Sequence, residues 1–249
     1  MAVPTDIVTF HTSAQTWSES PHPLVGQIEP HTNLIPLFAA SVRRSNPGAR
    51  LVLLTDRRTV VPCRFDHVER AAVSQSELML ERFRLQRAWM RRPPFPRNIV
   101  FIDSDTLILG DMQSVFNEPF VLGVTVREVP RFSWEETAPY NAGVIFARAS
   151  NNPRQTNIHD ELIHRIKRMD PDYWAWNGNQ LAMRDLIGRR KSCETISVCG
   201  VYVRVFSCST HNYRPLGPNE VIDHCLILHF CGTAKPLMRI YAERFGLPA

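Results

Sequence analysis

Asp103 and Asp105 stand one residue apart at the end of an apolar run, in NIVFIDSDTLIL, residues 98–109. A carboxylate beside a core strand is costly unless it has a partner. In an extended chain, residues i and i+2 share a face, so the two acids can converge on one point. The simplest partner for two converging carboxylates is a hard divalent cation. Plainer readings also stand: two exposed acids that cap a loop or pair with arginine. The D-x-D pattern alone does not choose among them.

The elements around these acids say where they must lie. DIVTF (6–10), ARLVLLTD (49–56) and NIVFI (98–102) are short, apolar on both faces and rich in β-branched residues, which reads as buried strands. FVLGVTV (120–126), AGVIFAR (142–148), VYVRVF (201–206) and CLILHF (225–230) read the same way. Helical spacing covers 33–45, where Asn46-Pro47-Gly48 gives a stop, and 74–90, where Ser74 and Glu77 fit a capping box. Further helices are expected near 153–169, over 179–190 and from about Pro236. Alternating strands and helices predict an α/β fold with a mostly parallel central sheet flanked by helices. Ligands in such sheets bind beyond the carboxyl ends of the strands. That rim carries His11-Thr12, Thr55-Asp56 and Asp103-Ser104-Asp105. The loop from His11 to His31 is long and polar, as functional loops often are.

The chain has 249 residues, 44% of them hydrophobic, and shows no repeat or linker. This predicts a single domain over 1–249. No apolar run is long enough to span a bilayer, and the N-terminus does not read as a secretory signal, so a cytoplasmic location is expected. Six cysteines without a C-x-x-C pair read as free thiols; a zinc cluster with His211, His224 or His229 matches no defensible spacing. The net charge is +5, and only three of the 29 basic residues are lysines. The densest arginine run, residues 81–97, alternates with apolar residues as on an amphipathic helix, so no nucleic-acid partner is expected.

Two catalytic chemistries use an apolar strand that leads into D-x-D. In haloacid-dehalogenase-type phosphatases, which use Mg2+, the first Asp is the nucleophile and the second the acid/base. In glycosyltransferases of the GT-A fold, both acids hold a metal on a nucleotide-sugar diphosphate. The phosphatase motif normally lies on the first strand and needs a later strand ending in paired acids, and neither condition holds here. Three further segments follow in order: PYNAGVIFAR (139–148), NGNQLAMRDL (177–186) and LHFCGTAKPL (228–237). With the DSD segment they resemble family 8 retaining glycosyltransferases, among them the bacterial lipopolysaccharide galactosyl- and glucosyltransferases. The likeness runs from Asp6 to the C-terminus, and it implies a nucleotide-binding half at about 1–110 and an acceptor-side half at about 111–249.

The resemblance implies a metal-dependent transfer of a hexose from a nucleotide sugar, UDP-hexose in this family, to a glycan or other acceptor. It implies Mn2+ or Mg2+ held by Asp103, Asp105 and His229, with Asp103 also at the ribose. It puts Gly232 and Lys235 at the diphosphate, and Arg84 at the phosphates or donor sugar, in a register shared with Arg82 and Arg87. Asn141 and Ala142 would line the sugar pocket, and Ser104 with His11, Thr12, Thr55 and Asp56 would lie near base and ribose. Asn179 and Gln180 would sit at the reacting centre. The family commonly has an acid at the position of Asn179, which cannot serve as base or nucleophile; this keeps open a fold that binds nucleotide sugars without turnover. The chain stops soon after Lys235-Pro236, so at most transient membrane association is expected. Plainer roles exist: His229 as a core histidine, Asn141-Ala142-Gly143 as a turn, Lys235 as a helix-start residue. Trp174 and Trp176, and the segment 127–140, are candidates for the acceptor side.

Overall fold

The computed structural model describes residues 3–12, 34–92, 97–150, 152 and 154–248. Most of the predicted loop between His11 and His31 lies outside them. In chain order the elements begin with β1 (Thr5–Phe10), α1 (Ile35–Ser45), β2 (Arg50–Asp56), β3 (His67–Ala71) and α2 (Leu78–Met90). They continue with β4 (Asn98–Asp103), β5 (Thr106–Ile108), β6 (Leu122–Val126), α3 (Ser133–Thr137), β7 (Tyr140–Ala147) and α4 (Asn157–Lys167). The last are α5 (Asp172–Ala175), α6 (Gly178–Ile187), β8 (Thr195–Val198), β9 (Val201–Ser207), α7 (Cys208–His211), β10 (Ile227–His229) and α8 (Leu237–Arg244).

An eight-stranded sheet runs in the order β3-β2-β1-β4-β7-β6-β9-β8. The first four strands are parallel, as are β6 and β9. β7 is antiparallel to both neighbours, and β8 to β9, so the sheet is mixed through its middle. Period-two alternation sends Val8, Val52, Ile99 and Phe101 to one face and Ile7, Leu51, Val100 and Ile102 to the other. The first face is covered by α2, α4 and α6, the second by α1 and α8. Burial on both faces explains why these strands carry continuous apolar runs.

β5 and β10 form a separate antiparallel ribbon, with His229 opposite Thr106. This ribbon and the β4–β7 pairing tie the two predicted halves together. The expected capping box at Ser74 is absent. A 3-10 turn at Gln75–Glu77 precedes α2, and Ser74 makes no capping hydrogen bond. Asn141-Ala142-Gly143 is not a turn: it belongs to β7, where the pairing register with β6 shifts between Val124 and Thr125. Such an irregularity re-aims side chains at a sheet edge or site. All six cysteines are free, and no helix among the described residues is long and apolar enough to cross a membrane.

Candidate functional site

The carboxyl ends of β1 and β4, the start of β7, the first turn of α6 and the chain after β10 enclose one cavity. Asp103, Asp105 and His229 meet on its wall, with one donor atom from each within 4.8 Å of the others. The route differs from the expected extended strand. β4 ends at Asp103, residues 104–105 form a turn, and β5 restarts at Thr106. Thr106 Oγ1 donates to Asp103 O at 2.7 Å and fixes that turn. Phe230 N donates to Asp105 O at 2.8 Å, which locks the ribbon beside it.

His229 Nε2 lies 3.3 Å from Asp105 Oδ1 and 3.6 Å from Asp103 Oδ2. Its Nδ1 lies 2.8 Å from Asn212 Oδ1. Asn212 Nδ2 is committed as a donor to Thr125 Oγ1 (2.8 Å) and Asn141 O (3.3 Å). Asn212 Oδ1 therefore accepts from Nδ1–H, which leaves Nε2 facing the two acids. Gly143 makes room for this arrangement: a Cβ there would fall 2.2 Å from His229 Cε1 and 2.9 Å from Asp103 Oδ2. Two carboxylates and one imidazole on a single point suit a hard divalent cation, with room for oxygens of a substrate.

Cations surround the acids. Arg82, nearly buried on α2, places NH1 2.8 Å from Asp103 Oδ1 and donates through NH2 to Ala142 O at 2.6 Å. Lys235 Nζ lies 3.4 Å from Asp105 Oδ2. Desolvation pushes the Asp103 carboxyl above its ordinary range, against the opposing pull of Arg82 and His229. Burial likewise pushes the His11 imidazole down to about 4, helped by the charge of Lys235. His11 is thus neutral near pH 7.

On the far side of the cavity, α6 presents Asn179 and Gln180. Asn179 Oδ1 accepts from Gln180 N at 2.9 Å. Arg127, Phe132, Trp134 and Trp176 line the same side. Phe132 and Trp134 stack with their rings nearly parallel, and the Arg214 guanidinium lies over Phe132. Trp174 does not join them: its indole donates to Met169 O at 3.2 Å and its ring packs on the core. Gly232, at φ +62°, adopts the left-handed backbone that favours glycine, beside Lys235.

Of the residues named from the sequence, His11, Asp103, Ser104, Asp105, Asn141, Ala142, Asn179, Gln180, His229, Gly232 and Lys235 line this one cavity. Arg84 does not. It points to Glu77, 3.0 Å away, and to Glu81, while Arg82 takes the place beside Asp103. On a helix, two residues separate those side chains by about half a turn, so the register error changes the face. Thr12 is buried outside the lining, and Asp56 turns back to cap its own loop, accepting from Arg58 N and Thr59 N. Asn212, Arg127 and Gly143 were not singled out from the sequence. Asn212 lies in an irregular stretch with no readable pattern, whereas Arg127 opens the segment 127–140 proposed for the acceptor side.

Neither a protein-family model nor a curated protein matches the sequence. Solved structures do match. A glycosyltransferase involved in glycosylation of the major capsid of PBCV-1 superposes with a TM-score of 0.57 at 12% identity, over 96% of this chain and 99% of its own. The galactosyltransferase LgtC, solved with donor and acceptor sugar analogs, gives a TM-score of 0.56 at 13% identity, over 98% and 96%. The glycosyltransferase GlyE of Streptococcus pneumoniae TIGR4 gives 0.57 at 14% identity, over 96% of this chain and 60% of that one. At such identities the likeness concerns architecture alone, and the architecture of this chain is the GT-A glycosyltransferase fold.

Proposed function

We propose that the protein is a metal-dependent glycosyltransferase that moves a hexose from a nucleotide sugar, UDP-hexose being the donor class, to a glycan or other acceptor with retention of configuration. The observation that carries this reading is the convergence of Asp103, Asp105 and His229 in a cavity of a GT-A fold, opposite Asn179 and Gln180. A bound Mn2+ or Mg2+ would neutralise charge on the departing nucleoside diphosphate. Asp103, Asp105 and the Nε2 of His229 would hold it.

The other parts follow from this chain's own residues. Lys235, whose Nζ lies 3.4 Å from Asp105 Oδ2, would neutralise a diphosphate held on the cation. Arg82 holds Asp103 in place and, through Ala142 O, fixes the β7 backbone at the sugar pocket. Asn179 offers an amide to donor hydroxyls and cannot ionise. Among the described residues, the acids in the cavity lining are Asp103 and Asp105, both part of the cation cluster. With no carboxylate at Asn179, attack of the acceptor on the face the diphosphate leaves, beside Gln180, is the route these residues suit.

Release of UDP from a panel of UDP-hexoses, with Mn2+ and with chelator, tests the reading. Metal-dependent release with an α-configured early product by proton NMR is the expected result. An inverted anomeric signal would overturn retention. Release of phosphate from a generic phosphoester, with no UDP release, would overturn glycosyl transfer.

A further inference from the structure

We propose that Arg127 is a positioning residue for Gln180: it binds the carboxamide oxygen and thereby fixes which end of that side chain faces a substrate. This inference rests on the glycosyltransferase reading for its catalytic consequence, but its geometry stands alone. Arg127 NH1 and NH2 lie 3.1 and 3.2 Å from Gln180 Oε1. Gln180 Nε2 donates to Asn177 Oδ1 at 2.8 Å. A guanidinium only donates, so the orientation of the carboxamide is unambiguous. The oxygen is held by the protein, and the donor left for a substrate is the second Nε2 hydrogen.

The guanidinium is itself held on several sides. Its Nε lies 3.1 Å from Glu135 Oε1, its NH1 also donates to Ala138 O and Tyr140 O, and its Cζ sits 4.9 Å from the Trp134 ring centroid. Glu135 is buried and also accepts from Arg131 N at 2.7 Å, at the start of α3. The fold of the segment 127–140, whose Phe132 and Trp134 line the cavity, is therefore wired to the orientation of Gln180. Order in that segment and readiness of the carboxamide rise and fall together. A misplacement of about 1 Å at a reacting centre can cost about 100-fold in rate.

Removing Arg127 alone would leave Glu135 buried and uncompensated, so the test uses Arg127→Gln/Glu135→Gln beside Arg127→Lys. The side-chain amide signals of Gln180 are assigned in the 15N spectrum of the full chain by their loss in Gln180→Glu. In the double variant these signals should shift and broaden, while metal-dependent UDP binding and donor KM stay within about twofold and kcat for UDP-hexose hydrolysis falls about 10- to 100-fold. Arg127→Lys, which keeps a charge beside Glu135 but not the two-pronged contact, should fold like the unaltered chain and still show the lowered kcat. Unchanged amide signals would overturn the proposal whatever the activity. An unchanged kcat beside shifted signals would also overturn it. Failure of the unaltered protein to bind UDP would instead refute the glycosyltransferase reading, with the amide signals still deciding the positioning.

Discussion

Asn212 holds the ring of His229 from behind: its Oδ1 takes Nδ1–H at 2.8 Å, and its amide nitrogen is anchored on Thr125 and Asn141. The tautomer of His229 is therefore set by a residue 17 positions earlier in the chain. Asn212→Leu should lower Mn2+-dependent UDP affinity about 10- to 100-fold, the usual loss when the partner behind a metal-binding histidine is removed. It should also destabilise the fold by about 1–3 kcal/mol, because a buried polar group loses its partners. Calorimetric titration and denaturant unfolding measure the two effects separately.

Gly143→Ala is a smaller change with a sharper outcome. The new methyl would lie 2.2 Å from His229 Cε1 and 2.9 Å from Asp103 Oδ2, inside any tolerable contact, so the ring or the irregular stretch of β7 must shift. Metal-dependent UDP binding should be lost, with an overpacking cost of about 1–3 kcal/mol in stability. Retained binding with an unmoved midpoint would show that the ring has slack.

Arg82 and Arg84 separate two registers of one helix. Arg82→Met leaves the Asp103 carboxylate without its nearest cation and should cost about 3 kcal/mol; added Mn2+ should recover part of this loss. Arg84→Gln breaks only partly exposed contacts with Glu77 and Glu81 and should stay within about 0.5 kcal/mol, with UDP binding unchanged. Equal losses in both variants would contradict the geometry.

The central strands β1, β2, β4, β6 and β7 were legible because they are buried on two faces and so carry nearly unbroken apolar runs. The DSD and HFCGTAKP segments were legible as residue types, since few roles need two acids or a lone lysine at such places. Their meeting was not: β5 and β10 are three residues each, too short for a period to show. β3 (HVERA) and β8 (TISV) lie at the two edges of the sheet, half exposed, and lack the run that marked the central strands. The Arg82 register failed because α2 buries both arginine and apolar positions, which blurs its faces.

His159 gives the protein an acid sensitivity unrelated to the site. It is fully buried between Phe83 and Phe101, and neither ring nitrogen has a hydrogen-bond partner among the described residues. Burial, and then the charge of Arg87, push it down to about 4 from 6.5. The unfolded chain therefore binds the proton first, and stability falls as pH falls. The contribution is complete above pH 6.5, is lost progressively toward pH 4, and amounts to about 3 kcal/mol. His11, also held at about 4, adds a loss of the same sign. Unfolding of His159→Leu between pH 4 and 7 should show a visibly shallower slope than the unaltered chain; an identical slope would contradict this.

The central claim is that Asp103, Asp105 and His229 hold a cation on a nucleoside diphosphate. Calorimetric titration of UDP into the protein, with and without Mn2+ and repeated on Asp105→Ala, tests it most directly. The account predicts binding that requires Mn2+ and vanishes in the variant while the fold survives. Binding of equal strength without metal, or undiminished in Asp105→Ala, would contradict it.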